Sequence, residues 1–192
     1  MRRRFLLCLL SLAAVALAAA PKPRVKLTTS MGVVVIELEP QAAPKTVENF
    51  LKYVRKGQYK GTIFHRVIAG FMIQGGGYVD YLGKKRTEAP IPNEADRSKA
   101  AGLLNQRGTV AMARTGDPDS ATAEFYINLV ANPSLDFRSR KDGNTWGYCV
   151  FGKVVQGMDV VDRIAHVKIS HARSDFPALP AKPVLIQDAA VL

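Results

Sequence analysis

Eight short runs rich in Val, Ile, Phe and Tyr, parted by turn residues and broken by only two helical patterns, limit the folds open to this chain. The runs fall at 24–29, 33–39, 62–68, 71–74, 108–114, 124–130, 148–155 and 184–191. Strands without a regular strand–helix alternation argue against a parallel sheet and for an antiparallel one. In the second run Val34, Ile36 and Leu38 share one face while Glu37 and Glu39 share the other, so one side is core and the other wet. Ser30-Met31-Gly32 supplies the turn before it. The first and last runs are both long, and pairing them would leave no exposed edge. The expected fold is mostly β, a closed eight-stranded antiparallel β-barrel capped by two α-helices.

The first helix is read from Val47, Phe50, Leu51 and Val54, which recur at i, i+3, i+4 and i+7. Pro44 suits its first turn and Gly57 its C-terminal cap, with Glu48 and Lys52 as an i,i+4 pair. The second helix is read from Met158, Val161, Ile164 and Ala165 after Gly157. A long polar stretch, 76–108, is expected to be a functional or well-tied loop, and Gly75-Gly76-Gly77 before it a tight turn. A second irregular segment, 132–147, is basic and holds the single tryptophan, Trp146.

The first twenty residues have a basic start (Arg2, Arg3, Arg4), an apolar run from Phe5 to Leu17 and small residues at Ala16, Ala18, Ala19 and Ala20. That is the three-part pattern of a secretory signal peptide, with an apolar run shorter than the ~20 residues of a membrane span. We expect a signal peptide over 1–19, cleaved near Ala18 or Ala19, and one domain over 24–192. The mature protein is then periplasmic, or secreted as the alternative, with no membrane association. The start Arg-Arg-x-Phe-Leu also resembles a twin-arginine signal, so the export route stays open. Cys8 lies in the leader and Cys149 alone survives it, so no intramolecular disulfide can form. No Cys/His spacing fits zinc, and no metal, nucleotide or other cofactor is called for. Of the net charge of +11, three units leave with the leader. The remaining basic residues form no stripe and no aromatic ladder accompanies them, which argues against nucleic acid as a partner.

The stretch Phe64-His65-Arg66-Val67-Ile68-Ala69-Gly70-Phe71-Met72-Ile73-Gln74-Gly75-Gly76 sets an arginine and a glutamine among large apolar residues. Such a mixture fits a site that buries an apolar group and hydrogen-bonds a polar one. It resembles the signature of the cyclophilins, the cyclosporin-binding class of peptidyl-prolyl cis-trans isomerases. Further matches follow in that family's order: Asn93-Glu94, the stretch 102–114, Ser120-Ala121-Thr122, Phe125-Tyr126-Ile127-Asn128, Leu135-Asp136 and 150–154. The similarity covers nearly all of 25–192 and is nearest to the signal-bearing periplasmic members of bacteria.

The resemblance implies a non-covalent, cofactor-free isomerase acting on proline-containing peptides and on folding exported proteins, and no oligomer is suggested. Arg66 would be the catalytic guanidinium and Gln74 its orienting partner. Phe71, Met72, Tyr126 and Leu135 would line a slot for the proline ring, with Tyr148 beside it, and the backbone at Ala113 and Arg114 would bind the extended peptide. His65 is read as a satisfied structural residue. Four positions depart from the better-known members: Glu124 for a usual Gln, Tyr126 for Phe, Ser134 for the Trp of cyclosporin-sensitive members, and Tyr148 for His. Weak cyclosporin binding is expected, Trp146 being the one possible substitute. A phenolic hydroxyl is expected at the pocket floor. Glu124 would either lock Arg66 in an ion pair or favour basic substrates. A proline-peptide-binding or chaperone module with little turnover is the competing reading, and a small-ligand carrier barrel is disfavoured.

Overall fold

The computed structural model describes residues 21–170 and 172–192; the leader expected at 1–19 lies outside them. The strands are β1 (Arg24–Thr29), β2 (Gly32–Leu38), β3 (Thr62–Ile68), β4 (Met72–Val79), β5 (Thr109–Met112), β6 (Phe125–Asn128), β7 (Val150–Gln156), β8 (Ile169–Ser170), β9 (Leu179–Pro180) and β10 (Leu185–Val191). The helices are α1 (Pro44–Arg55), α2 (Ala95–Ala100) and α3 (Met158–Ala165), with a 3-10 turn at Pro133–Leu135.

Eight of the strands close in the order β1-β10-β3-β4-β6-β5-β7-β2, with β2 returning to β1. Every ladder is antiparallel, and β10 pairs with both β1 and β3, so the last strand of the chain removes the edge of the first. The small β8–β9 pair stands outside the barrel.

Alternation decides what fills the barrel. Val34, Ile36 and Leu38 point inward, as do Val25, Leu27, Phe64, Ile73, Phe125, Ile127, Phe151 and Ile186. From α1, Phe50 meets Tyr59, Phe125 and Phe151 with ring centroids 5.2, 5.6 and 5.0 Å apart. With Val47, Leu51 and Val54 buried beside it, each side chain contributes roughly 1.5–3 kcal/mol of transfer free energy. The apolar face of α3, Val160, Val161, Ile164 and Ala165, joins the same core.

Local chemistry sets the helix ends. Pro44 opens α1, and Gly57 follows it at φ +67. Ala43 offers no capping side chain. The carboxylate of Glu94, brought in by the long loop, accepts instead from Lys45 N (3.2 Å), Thr46 N (2.8 Å) and Thr46 Oγ1 (2.8 Å). The expected pairing of Glu48 with Lys52 gives way to Glu88, which bridges Lys52 and Lys56.

Two further expectations are corrected. The stretch 76–108 is not all loop: β4 runs on to Val79, and α2 lies within it. The run Gly75-Gly76-Gly77 is therefore strand rather than turn. Its glycines are required by close approach: a Cβ at Gly75 would sit 2.9 Å from the Ile63 carbonyl oxygen, one at Gly76 2.8 Å from the Tyr59 ring, and one at Gly77 2.6 Å from the Glu124 side chain.

Candidate active site

The candidate site grows from a row of residues paired across the barrel wall. Arg66 on β3 faces Gln74 on β4, Gln74 faces Tyr126 on β6, Tyr126 faces Ala111 on β5, and Ala111 faces Val150 on β7. Residues so paired project from the same side of a sheet. Their neighbours Ile73, Ile127 and Val110 project inward, so this row projects outward. On the outer surface Met72, Ala111, Tyr126 and Val150 form a second buried apolar cluster, distinct from the barrel core. Ile68, Phe71, Leu103, Ala113, Leu135 and Tyr148 pack against it.

Above this cluster lies a slot of about 180 Å³ lined by Arg66, Phe71, Met72, Gln74, Ala113, Arg114, Tyr126, Leu135 and Tyr148. Nine of the ten residues singled out from the sequence thus line one cavity, and the tenth, Glu124, adjoins Gln74. Met72 and Tyr126 are buried, whereas Arg66 is exposed, its guanidinium carbon 5.9 Å from the centre of the Phe71 ring. Its Nη1 donates a long hydrogen bond, 3.4 Å, to Gln74 Oε1.

Glu124 forms no ion pair with Arg66. Its Oε2 accepts from Gln74 Nε2 at 2.9 Å and lies 3.4 Å from His65 Nε2. The expected direct lock on Arg66 is absent because Gln74, paired with Arg66 across the ladder, stands between the two charges. His65 is buried, and among the described residues Nδ1 has no hydrogen-bond partner, so it is not the fully satisfied residue expected. Burial, reinforced by the charges of Arg66 and Lys84, pushes its pKa down to about 4. At neutral pH the imidazole is uncharged, so the 3.4 Å approach of Nε2 to the Glu124 carboxylate is not a salt bridge. With the proton on Nε2, the nitrogen nearer the carboxylate, Nδ1 is a bare lone pair, which costs less to bury than an orphaned donor.

Tyr126 presents its ring, not its hydroxyl, to the slot. The hydroxyl donates to Asn105 Oδ1 at 2.8 Å, and burial holds its pKa well above the ordinary phenol value. This corrects the expectation of a phenolic hydroxyl at the pocket floor. Asn105 Oδ1 also accepts from Asn128 Nδ2 (3.2 Å), and Asn128 Oδ1 from Asn132 Nδ2 (2.7 Å). Asn132 Nδ2 reaches the Phe71 carbonyl at 3.0 Å, while Asp136 Oδ1 accepts from Asn105 N and Nδ2 at 2.7 and 2.8 Å. This buried amide chain ties three walls of the slot together. Sequence reading quoted Asn105, Asn128 and Asp136 as matches without giving them a task.

Arg114 acts through its side chain as well. Nε donates to the Gly147 carbonyl (3.0 Å), Nη1 to Thr115 O (2.8 Å) and Nη2 to Gly143 O (2.7 Å). The Ala113 N–H already donates to the Glu124 carbonyl at 2.9 Å, so a bound peptide does not find that donor free. Ser134 is exposed on the 3-10 turn beside Leu135. Trp146 does not replace the missing indole: it packs on Phe137 (5.7 Å) and Arg140 (5.0 Å), away from the slot lining.

Residues 24–191 match the family profile described as cyclophilin type peptidyl-prolyl cis-trans isomerase/CLD. A peptidyl-prolyl cis-trans isomerase of Streptomyces antibioticus is 55% identical over 168 residues, covering 88% of this chain and 98% of that one. Peptidyl-prolyl cis-trans isomerase A of Dickeya dadantii is 47% identical over 177 residues, covering 92% and 88%. Among solved structures, a Cryptosporidium parvum cyclophilin type peptidyl-prolyl cis-trans isomerase superposes with a TM-score of 0.70 at 26% identity, covering 89% of this chain and 98% of that one. The same protein has been crystallised in the presence of the dipeptide Ala-Pro, and that structure also superposes at 0.70.

Proposed function

The chain belongs to the cyclophilin-type peptidyl-prolyl cis-trans isomerases, and from that premise we propose that the slot holds the proline ring while Arg66 lowers the barrier to rotation. The carrying observation is the placement of the exposed Arg66 guanidinium at the rim of a slot whose floor and sides include Phe71, Met72, Tyr126 and Leu135. An X-Pro bond rotates over a barrier of ~18–20 kcal/mol because amide resonance must be broken. At the top of that barrier the prolyl nitrogen is pyramidal and its lone pair is free to accept a hydrogen bond. A guanidinium aimed at that lone pair binds the twisted amide better than either planar form, which is what accelerates the reaction.

A 10⁴-fold acceleration requires roughly 5.5 kcal/mol of such preference. One charge-assisted hydrogen bond supplies ~1.5–3 kcal/mol, and apolar walls that exclude water strengthen it. Met72 and Tyr126 form the buried floor, Phe71 and Leu135 stand beside it, and Tyr148 closes one side. No bond to the enzyme forms, no proton is transferred, and nothing in the step requires a cofactor.

Its substrates are proline-containing peptides, the class to which the dipeptide used with the Cryptosporidium relative belongs. The leader read from residues 1–19 supports a role in folding exported proteins in the periplasm, or outside the cell. The test is the refolding of a client whose slow phase is proline isomerisation, with and without the mature protein. A faster slow phase with wild type but not with Arg66→Ala supports this reading. Equal rates with both proteins would show that any assistance comes from binding alone.

A further inference from the structure

We propose that Glu124 is a positioning residue, which fixes the amide of Gln74 so that only its carbonyl oxygen can face Arg66. This rests on the catalytic role given to Arg66 above. A carboxylate offers acceptors only, a guanidinium donors only, and an amide one of each. Gln74 lies between the two, giving Nε2 to Glu124 at 2.9 Å and accepting from Arg66 at Oε1 over 3.4 Å. Turned the other way, its carbonyl would meet a carboxylate and its NH₂ group a guanidinium, so both contacts would be repulsive. The orientation is therefore dictated by charge. A glutamine at 124 would accept the same bond without forbidding the reverse one.

The surroundings hold the carboxylate in place. His65 Nε2 lies 3.4 Å from the same Oε2, and the imidazole is braced edge-on by the Tyr78 ring at 4.7 Å. On the other side is Gly77, where an added Cβ would lie 2.6 Å from Cγ, Cδ and Oε1 of Glu124, its three nearest atoms. Gly77 has no positive φ, so the missing side chain serves to make room for Glu124 rather than to permit a turn. Gln74, His65 and Gly77 thus converge on one carboxylate, and Gln74 carries its hydrogen bond towards the slot. A substrate nitrogen drawing on Arg66 would find the guanidinium already aimed, which is where orientation contributes to rate.

The test is a set of variants in a prolyl-isomerisation assay that separates kcat from KM, with thermal unfolding as the check on folding. Glu124→Ala is expected to lower kcat about tenfold with KM unchanged, since misdirecting a positioned group acts on the transition state. Glu124→Gln should recover most of that loss. Gly77→Ala displaces the carboxylate and should lower kcat in the wild type, yet add little in the Glu124→Ala background, a coupling that a double-mutant cycle reads directly. Wild-type kcat in a folded Glu124→Ala protein, a loss confined to KM, or an equal effect of Gly77→Ala in both backgrounds would overturn the proposal. Arg66→Ala is measured alongside. Wild-type turnover there would overturn the catalytic reading itself, whereas loss there with none in Glu124→Ala removes only the positioning role.

Discussion

The guanidinium of Arg114 lies over the ring of Tyr148, 4.5 Å from its centre, and Tyr148 in turn meets Tyr126 edge-on at 5.8 Å. One wall of the slot is thus a stack of cation, ring and ring. The same guanidinium is fastened to Gly143, Thr115 and Gly147 by three carbonyls. Arg114→Ala should free both the loop and the ring, raising KM several-fold and lowering the unfolding temperature by a few degrees, given ~1.5–3 kcal/mol for charge-assisted bonds. Arg114→Lys should not restore either property, because a point charge cannot make the forked contacts. Steady-state kinetics and calorimetry check both.

His65 makes stability depend on pH. Its folded pKa, about 4, lies below the ordinary 6.5, so between those values the unfolded chain binds a proton that the folded one refuses. Stability from this group is complete above 6.5 and is lost as the pH falls towards 4, by up to about 3 kcal/mol. Replacing it with a residue that cannot titrate, His65→Gln, should flatten that part of the profile. Denaturant titrations at pH 7 and pH 5 on both proteins test this.

The Tyr126 hydroxyl contributes to stability more than to turnover. Tyr126→Phe removes one donor from Asn105 Oδ1, which keeps Asn128 as a second. The expected cost is about 1 kcal/mol of stability. The loss in kcat/KM should be under about threefold, against a far larger loss for Tyr126→Ala, which removes the ring that forms part of the floor.

Cyclosporin should inhibit weakly. Ser134 is exposed at the position where the family resemblance places an indole, and Trp146 packs elsewhere, on Phe137 and Arg140. Ser134→Trp should tighten inhibition at least about tenfold by restoring contact area and an N–H donor. Inhibition titrations on the two proteins decide it, and nanomolar inhibition of the wild type would refute the expectation.

Much of this architecture was legible in the sequence, because alternation is a local signal. Val34, Ile36 and Leu38 announced an inward face, and the paired terminal strands announced closure. The slot residues were legible through the resemblance, since hydrophobicity alone gives no sign that Met72 and Tyr126 face outward into a second cluster. What stayed hidden depends on contacts distant in the chain. Glu94 caps a helix forty-eight residues away, Arg114 braces a loop through Gly143, and Gly77 makes room for Glu124. The glycine run misled for the same reason: in sequence it looks like a turn, and only the packed strands show which neighbours leave no space for a Cβ.

The most direct test of the central claim is the isomerisation rate of a short X-Pro peptide with wild type and Arg66→Ala. Arg66 is exposed, and among the described residues its one hydrogen bond is the 3.4 Å contact with Gln74, so its loss should leave the unfolding temperature unchanged. The account predicts a fall in kcat/KM of about 100-fold or more, the size expected when a donor aimed at the transition state is removed. Equal rates for two equally folded proteins would contradict it.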